Sequence, residues 1–110
     1  MIDNPEQVER LLARLQAALP VPARLTPEAA AMLEARHAIG RSIPPACSIT
    51  WVSYAGDEGG IMCGLDFGQE TEPAVVTSIT HLRFDPRLPL ARDITAYQKR
   101  RVRRLQQQGS

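Results

Sequence analysis

The chain has 110 residues, which fits one domain, and 44% of them are hydrophobic, enough to form a core. No segment approaches the roughly 20 apolar residues that a membrane-spanning helix needs, and the polar start of the chain has no apolar signal-peptide segment. We therefore expect a small soluble, cytoplasmic protein without a membrane partner.

The near-neutral net charge of +1 conceals an uneven distribution of charge along the chain. The last nineteen residues, Arg92 to Ser110, carry six basic side chains and one acidic side chain, a net +5. The other ninety-one residues carry seven basic and eleven acidic side chains, a net −4. A basic end on an acidic body attracts polyanions or acidic surfaces, so this end indicates a binding partner.

Two helix starts occur in the N-terminal part of the chain. Asn4 can cap a helix with Pro5 in its first turn, and Pro20 and Pro22 end that helix. A second helix begins at Thr26-Pro27 and stops near Gly40. These signals predict a helical pair over residues 1–40, joined by a short proline linker. The helical apolar spacing predicts core contacts from Val8, Leu11, Leu12, Leu15, Ala18 and Leu19, then from Ala30, Met32 and Leu33.

The period of the pattern changes in the middle of the chain, where residues 47–84 are predicted to form a sheet. Residues Ser48–Tyr54 are rich in β-branched and aromatic types, and Ile61–Phe67 alternates between apolar and other residues. The turn residues Asp57–Gly60 join these two strands as a hairpin. A third strand, Ala74–Leu82, is expected to run antiparallel to the second.

The last predicted element is a basic amphipathic helix over residues 88–107, followed by a frayed tail over residues 106–110. Its apolar face contains Ile94, Tyr97, Val102 and Leu105. Arg101 falls on that same face, where its stem can pack while its charged head pairs or reaches solvent. The fold prediction is one α+β domain with the order α-α-β-β-β-α, in which the helices cover a three-stranded antiparallel β-meander.

Five basic residues in six, from Lys99 to Arg104, form the strongest functional signal of the chain. Helix ends favour cations, but this density exceeds what the helix dipole requires. Arginine forks suit phosphate groups, so we expect a non-catalytic module that contacts nucleic-acid phosphates or an acidic protein surface. The predicted binding residues are Arg92, Lys99, Arg100, Arg103 and Arg104.

Two other functions fit the sequence. The stripe of the first helix (Val8, Leu11, Leu15, Leu19) can dock a partner helix, or a second copy of the chain in a homo-oligomer. A small hydrolase or nuclease can instead be built from His81 with Asp66 and Asp85, since a histidine with two carboxylates can act in acid–base chemistry. No phosphate-loop, dinucleotide-binding or nucleophile-elbow motif supports an enzyme.

The remaining chemically distinctive residues are expected to be structural. Cys47 and Cys63 have no zinc-site spacing, so we expect two reduced thiols in the core and neither a metal nor a cofactor. The Asp57–Gly60 segment is expected to be a hairpin loop rather than a cation site. Trp51 is expected to pack in the core, although an exposed indole could stack on a base.

Overall fold

The computed structural model describes residues 3–37, 46–67 and 75–108. It is an α+β fold with a curled five-stranded antiparallel sheet in the order β4-β3-β2-β1-β5. Two short 3-10 turns, Gly56–Glu58 and Ile79–His81, precede β3 and β5. The helices and strands are α1 (Pro5–Ala18), β1 (Val21–Leu25), α2 (Pro27–His37), β2 (Ala46–Tyr54), β3 (Ile61–Asp66), β4 (Val75–Ser78), β5 (Leu82–Arg83) and α3 (Ala91–Gln108).

The start of α1 confirms the predicted cap. The Asn4 side-chain oxygen accepts hydrogen bonds from the backbone N–H groups of Glu6 and Gln7, at 2.9 and 3.1 Å. Val8, Leu11 and Leu15 are buried in the protein's own core, while Leu12 and Leu19 are half-buried against it and Ala18 is exposed. The apolar stripe of α1 is therefore occupied by intramolecular packing, which leaves little of it available to a partner helix.

The expected proline linker is wrong, because these residues form strand β1. Val21, Ala23 and Leu25 point into the core and alternate with exposed residues. Pro22 is tolerated because β5 pairs with β1 only at Arg24 and Leu25, so Pro22 has a strand neighbour on one side alone. The two predicted helices are thus separated by a strand, and residues 38–40 of the predicted second helix lie outside the described residues.

The predicted third strand is wrong in its second half, because it splits into β4, a 3-10 turn and β5. These two strands lie at opposite edges of the sheet, although Leu82 is only four positions after Ser78. Four Cα-to-Cα steps span at most about 14 Å. The edges of a flat five-stranded sheet lie about 19 Å apart. The sheet must therefore curl so that its two edges approach each other.

The concave side of the curled sheet holds the core. Strand β3 contributes Ile61, Cys63 and Leu65, as its alternation predicts, and the outward Asp66 is exposed. α1 packs against β2, while α3 packs against α1 and the Ile79–His81 turn. Cys63 and Cys47 are buried free thiols, as expected. Burial raises the pKa of Cys47 to about 11 and that of Cys63 to about 12.

Helix α3 extends from Ala91 to Gln108 and so includes residues 106–108 of the predicted tail, while residues 109–110 lie outside the described residues. Ile94 and Tyr97 are fully buried, but Val102 and Leu105 are 42% and 41% exposed. The predicted apolar face is therefore buried only over its first half, because residues 102–107 of α3 are all exposed. Met32 of α2 is also exposed, whereas Ala29 is buried and the predicted contact Ala30 packs half-buried against the core. The predicted contact of Leu33 lies outside the described side chains. Within the described residues, no helix combines the length and the apolar character needed to cross a bilayer.

Candidate functional site

A groove of about 520 Å³ runs between α3 and the segment formed by the Ile79–His81 turn and β5. We call it the α3 groove. Arg83, Lys99 and Arg103 bring three positive charges to it, and Phe84 and Val102 add apolar surface. Its other described lining residues are two threonines and two glutamines, so none of them is a carboxylate. The groove therefore offers cations and neutral hydrogen-bonding groups without internal neutralisation.

The Gln98 side chain ties α3 to the edge of the sheet. The Gln98 side-chain amide donates hydrogen bonds to the carbonyl oxygens of Ile79 and Leu82, each at 2.8 Å. Ile79 is the first residue of the 3-10 turn and Leu82 follows its last residue, so the amide holds α3 to both ends of the turn. Lys99 is the next residue of the helix, and it lines the groove together with Arg83.

A second groove, of about 500 Å³, lies on the other side of β5 and is lined by residues of β1, β2 and the segment after β5. We call it the β1 groove. Arg83 and Phe84 line both grooves, so the two are adjacent across these residues. Arg24 adds another cation, and Asp85 is the one carboxylate among the described lining residues.

Asp85 is engaged by a neighbouring arginine. The Arg87 side chain donates to both carboxylate oxygens, with an Nη2–Oδ2 distance of 2.9 Å, and the Arg87 backbone N–H donates at 2.9 Å. These hydrogen bonds lower the pKa of Asp85 below its ordinary value, so it is ionised and paired at neutral pH. The carboxylate therefore adds little free negative charge to the β1 groove.

Strand pairing places two arginines directly opposite each other. Arg24 of β1 and Arg83 of β5 are register partners, and both are exposed. Directly opposed side chains on antiparallel strands have Cβ atoms about 5 Å apart, and like charges in that position are destabilising. A bound anion between them would remove that repulsion.

The five predicted binding residues divide into two groups. Lys99 and Arg103 line the α3 groove, and Arg100, Arg103 and Arg104 surround an adjoining hollow of about 230 Å³. Arg92 lies seven residues before Lys99, about 10 Å along the helix, and lines neither of these hollows, so it does not join this cluster. Among the described residues, no carboxylate forms an ion pair with any of the five. The Arg100 Nε atom is shielded from solvent and has no hydrogen-bond partner there.

Arg101 differs from its neighbours because it is buried and both of its Nη atoms donate hydrogen bonds. Its guanidinium donates to Asp3 Oδ2 at 2.8 Å and to the Asp57 carbonyl oxygen at 2.8 Å. Tyr54 and Tyr97 donate their hydroxyl protons to the same Asp3 oxygen, at 2.9 and 3.3 Å. Burial and the contact with Asp3 raise the pKa of Tyr54 to about 12. This cluster joins the chain start, the hairpin loop and α3, so its role is structural.

The hairpin loop is shaped to pack against this cluster. Gly60 has a φ of +67°, and a Cβ at this position would lie 2.5 Å from the Tyr97 hydroxyl oxygen. Gly56 also has a positive φ, +72°, but a Cβ there would meet open space. The loop is therefore a glycine-dependent turn. Within the described residues, no three His, Cys, Asp or Glu side chains are grouped so as to hold a metal ion.

The structure does not bring the three candidate catalytic residues together, because Asp66 lies far from His81 and Asp85 is already bonded to Arg87. The His81 carbonyl accepts from the Thr26 backbone N–H, at the end of β1. Asp66 pairs with Ser48, whose partner on β1 is Pro22, four residues before Thr26. That offset is about 13 Å along the strand. Since Asp85 is bonded to Arg87, this arrangement offers no shared acid–base site.

Trp51 was expected in the core, but it lies on the outer face of the sheet and is 43% exposed. A Cβ built on its strand partner Gly64 would lie 2.1 Å from the indole Nε1, and 2.6 and 2.4 Å from the adjacent ring carbons. These similar distances mean that the ring lies flat on Gly64. Trp51 lines neither of the two cationic grooves, and the next outward residue after Gly64 on β3 is the acidic Asp66.

Sequence reasoning missed Arg24, Arg83 and Phe84 as site residues. The pairing of β1 with β5 brings them together over nearly sixty residues of chain, and no local pattern shows such a pairing. The chain matches no protein-family model, no curated protein and no solved structure. The interpretation of the site therefore depends on its geometry.

Proposed function

We propose that the protein is a non-catalytic binding module that holds nucleic-acid phosphates along the α3 groove and the adjoining basic end of α3. The observation that supports this most directly is the convergence of Arg83, Lys99 and Arg103 without a carboxylate among the described lining residues. Two of these cations come from α3 and one from β5, so tertiary structure assembles the cluster.

The chemistry of the groove suits phosphodiester oxygens. Arg83 and Arg103 lie on opposite walls of the groove, and a guanidinium is a planar fork of donors. The Arg83 Nη1 atom donates to the Leu82 carbonyl oxygen at 3.1 Å, so its other N–H groups are the ones that can reach a phosphate. Thr80 and Thr95 hydroxyls can also donate hydrogen bonds to phosphate, while Lys99 supplies a point charge. Each phosphate neutralised in this way releases counterions, so the proposed binding weakens with salt and depends little on base sequence.

An acidic protein surface is the second candidate, and one observation favours it. Val102 and Leu105 are exposed on the projecting end of α3, next to the same cations. A protein partner would cover this apolar surface as well as pair with the arginines, since interface cores are enriched in apolar contacts. Replacing Leu105, which lines neither groove, with serine would weaken a protein partner much more than an oligonucleotide.

Fluorescence anisotropy with labelled mixed-sequence DNA and RNA oligonucleotides, titrated at several salt concentrations, tests the nucleic-acid proposal. Lys99→Gln and Arg103→Gln should each weaken binding at every salt concentration and flatten the salt slope by about 0.7, the value for one phosphate contact on a single strand.

The matched control is Arg10→Gln, which removes one exposed positive charge from α1, outside both grooves. It should leave the slope unchanged. Equal effects of the three substitutions would mean that only net charge matters, and this would contradict a site in the α3 groove.

A further inference from the structure

We infer that the ligand is a single strand, which crosses from the α3 groove to the β1 groove over Arg83 and Phe84 and stacks one base on the Phe84 ring. This inference rests on the proposed function and assigns a ligand class and a base contact to the same site. It starts from the fact that both grooves share these two residues.

The charges continue along the proposed path. Lys99 and Arg103 lie on the α3 side, Arg83 lies at the crossing, and Arg24 lies on the β1 side. The opposed pair of Arg24 and Arg83 gives a phosphate two cations at one point, and this relieves their mutual repulsion. Asp85, beside the path, already has both carboxylate oxygens bonded to Arg87.

Phe84 is placed to contact a base rather than a phosphate. It is half-buried, packs against the hydrophobic core and lines both grooves, so one part of the ring is fixed while the rest faces the path. Base stacking on an aromatic ring requires a free base face, which a single strand presents and a duplex hides. An aromatic ring between cations is therefore suited to a single strand.

Trp51 is the larger and more exposed aromatic side chain, but it lacks these surroundings. It lies flat on Gly64, near Asp66 and outside the two grooves. It is therefore the matched control for aromatic removal. Replacing Trp51 with leucine should not change the affinity for any oligonucleotide.

The test compares a labelled single-stranded oligonucleotide with the same sequence as a duplex. Phe84→Leu keeps apolar volume but removes the π face, and one lost stacking contact should weaken single-strand binding about 5- to 150-fold. The salt slope should not change, because stacking releases no counterions, and duplex affinity should be unaffected. Phe84→Tyr should retain wild-type affinity, and this separates loss of the ring from altered packing.

A second variant tests the path itself. Arg24→Gln should flatten the single-strand salt slope by about 0.7, because it removes a phosphate contact in the β1 groove. Equal single-strand affinity of the Phe84→Leu and Phe84→Tyr proteins would overturn the stacking contact, and an unchanged slope in Arg24→Gln would overturn the path. In either case, weaker binding by Lys99→Gln and Arg103→Gln would leave the proposed function standing. If neither of these two variants bound more weakly than the wild type, the proposed function and the single-strand inference would both be overturned.

Discussion

Arg101 and Arg103 are two residues apart in the same basic run, yet their surroundings are opposite. Arg101 is buried and bonded to Asp3 and to the Asp57 carbonyl. Arg103 is exposed, lines the α3 groove and has no ion pair to a described carboxylate. Two residues rotate an α-helix by about 200°, so neighbouring arginines face the core and solvent. Charge density in the sequence therefore does not show which cations are available to a ligand.

The largest effect should come from breaking the buried ion pair. Arg101→Ala leaves Asp3 as an uncompensated buried charge, and this should cost about 3–5 kcal/mol in the free energy of unfolding. Arg103→Ala should change it by no more than about 0.5 kcal/mol, because the side chain is exposed and forms no ion pair with a described residue. Urea denaturation measures both values. Similar losses in the two variants would contradict the division between structural and available arginines.

The packing around Arg101 can be tested through the hairpin loop. Gly60→Ala introduces a Cβ that meets Tyr97 and Arg101 in addition to an unfavourable φ, whereas Gly56→Ala introduces the unfavourable φ alone. We expect Gly56→Ala to cost about 1–2 kcal/mol. Gly60→Ala should cost more, and thermal or urea unfolding of both variants gives the difference. A cost at Gly60 that is no greater than at Gly56 would mean that the loop does not pack against this cluster.

The Asp3 cluster should also give an alkaline signature. The pKa of Tyr54 is raised to about 12 in the folded protein. The pKa of a tyrosine in an unfolded chain is about 10. Because the pKa is higher in the folded protein, the protonated Tyr54 contributes to the free energy of unfolding. This contribution is complete below about pH 10 and is lost as the pH rises toward about 12. Tyr54→Phe removes it, so the stability difference between wild type and variant should shrink with increasing pH. Both proteins retain Cys47 and Cys63, whose own titration cancels in that difference.

The smallest effect is expected at Arg92. It lies about 10 Å along the helix from Lys99, the nearest proposed contact, and this exceeds the ~8 Å screening length at physiological salt. Charges separated by more than the screening length interact weakly, so Arg92→Gln should change oligonucleotide affinity by roughly 2-fold at most in physiological salt. Arg103→Gln removes the same charge from the same helix and serves as the comparison in the same anisotropy titration. A loss at Arg92 equal to that at Arg103 would extend the binding surface to the start of α3.

Much of the local structure is predictable from the sequence. The α1 cap at Asn4, the β2–β3 hairpin and the inward face of β3 all follow from residue type and spacing within a few positions. Such features depend on neighbours in the chain, and local physics determines them. The position of Arg101 on an apolar helix face predicts that its stem packs and that its head either pairs or reaches solvent, and in the structure the head pairs with Asp3.

The remaining features depend on distant residues. β1 contains a proline that is acceptable only because β5 is too short to pair beside it, and a two-residue strand has no periodicity of its own. Asp3 is an ordinary acid in a polar segment until the fold places it against Arg101, ninety-eight residues later. Leu105 has the helical spacing of a core residue, but the body of the protein ends before it.

The most direct test of the available cations is the salt dependence of single-strand binding by the wild type and by a variant with Arg83, Lys99 and Arg103 all changed to glutamine. Loss of three phosphate contacts predicts weaker binding at every salt concentration and a slope reduced by about 2. An unchanged slope, or a wild-type protein that fails to bind oligonucleotides even at low salt, would contradict the nucleic-acid function proposed for the α3 groove.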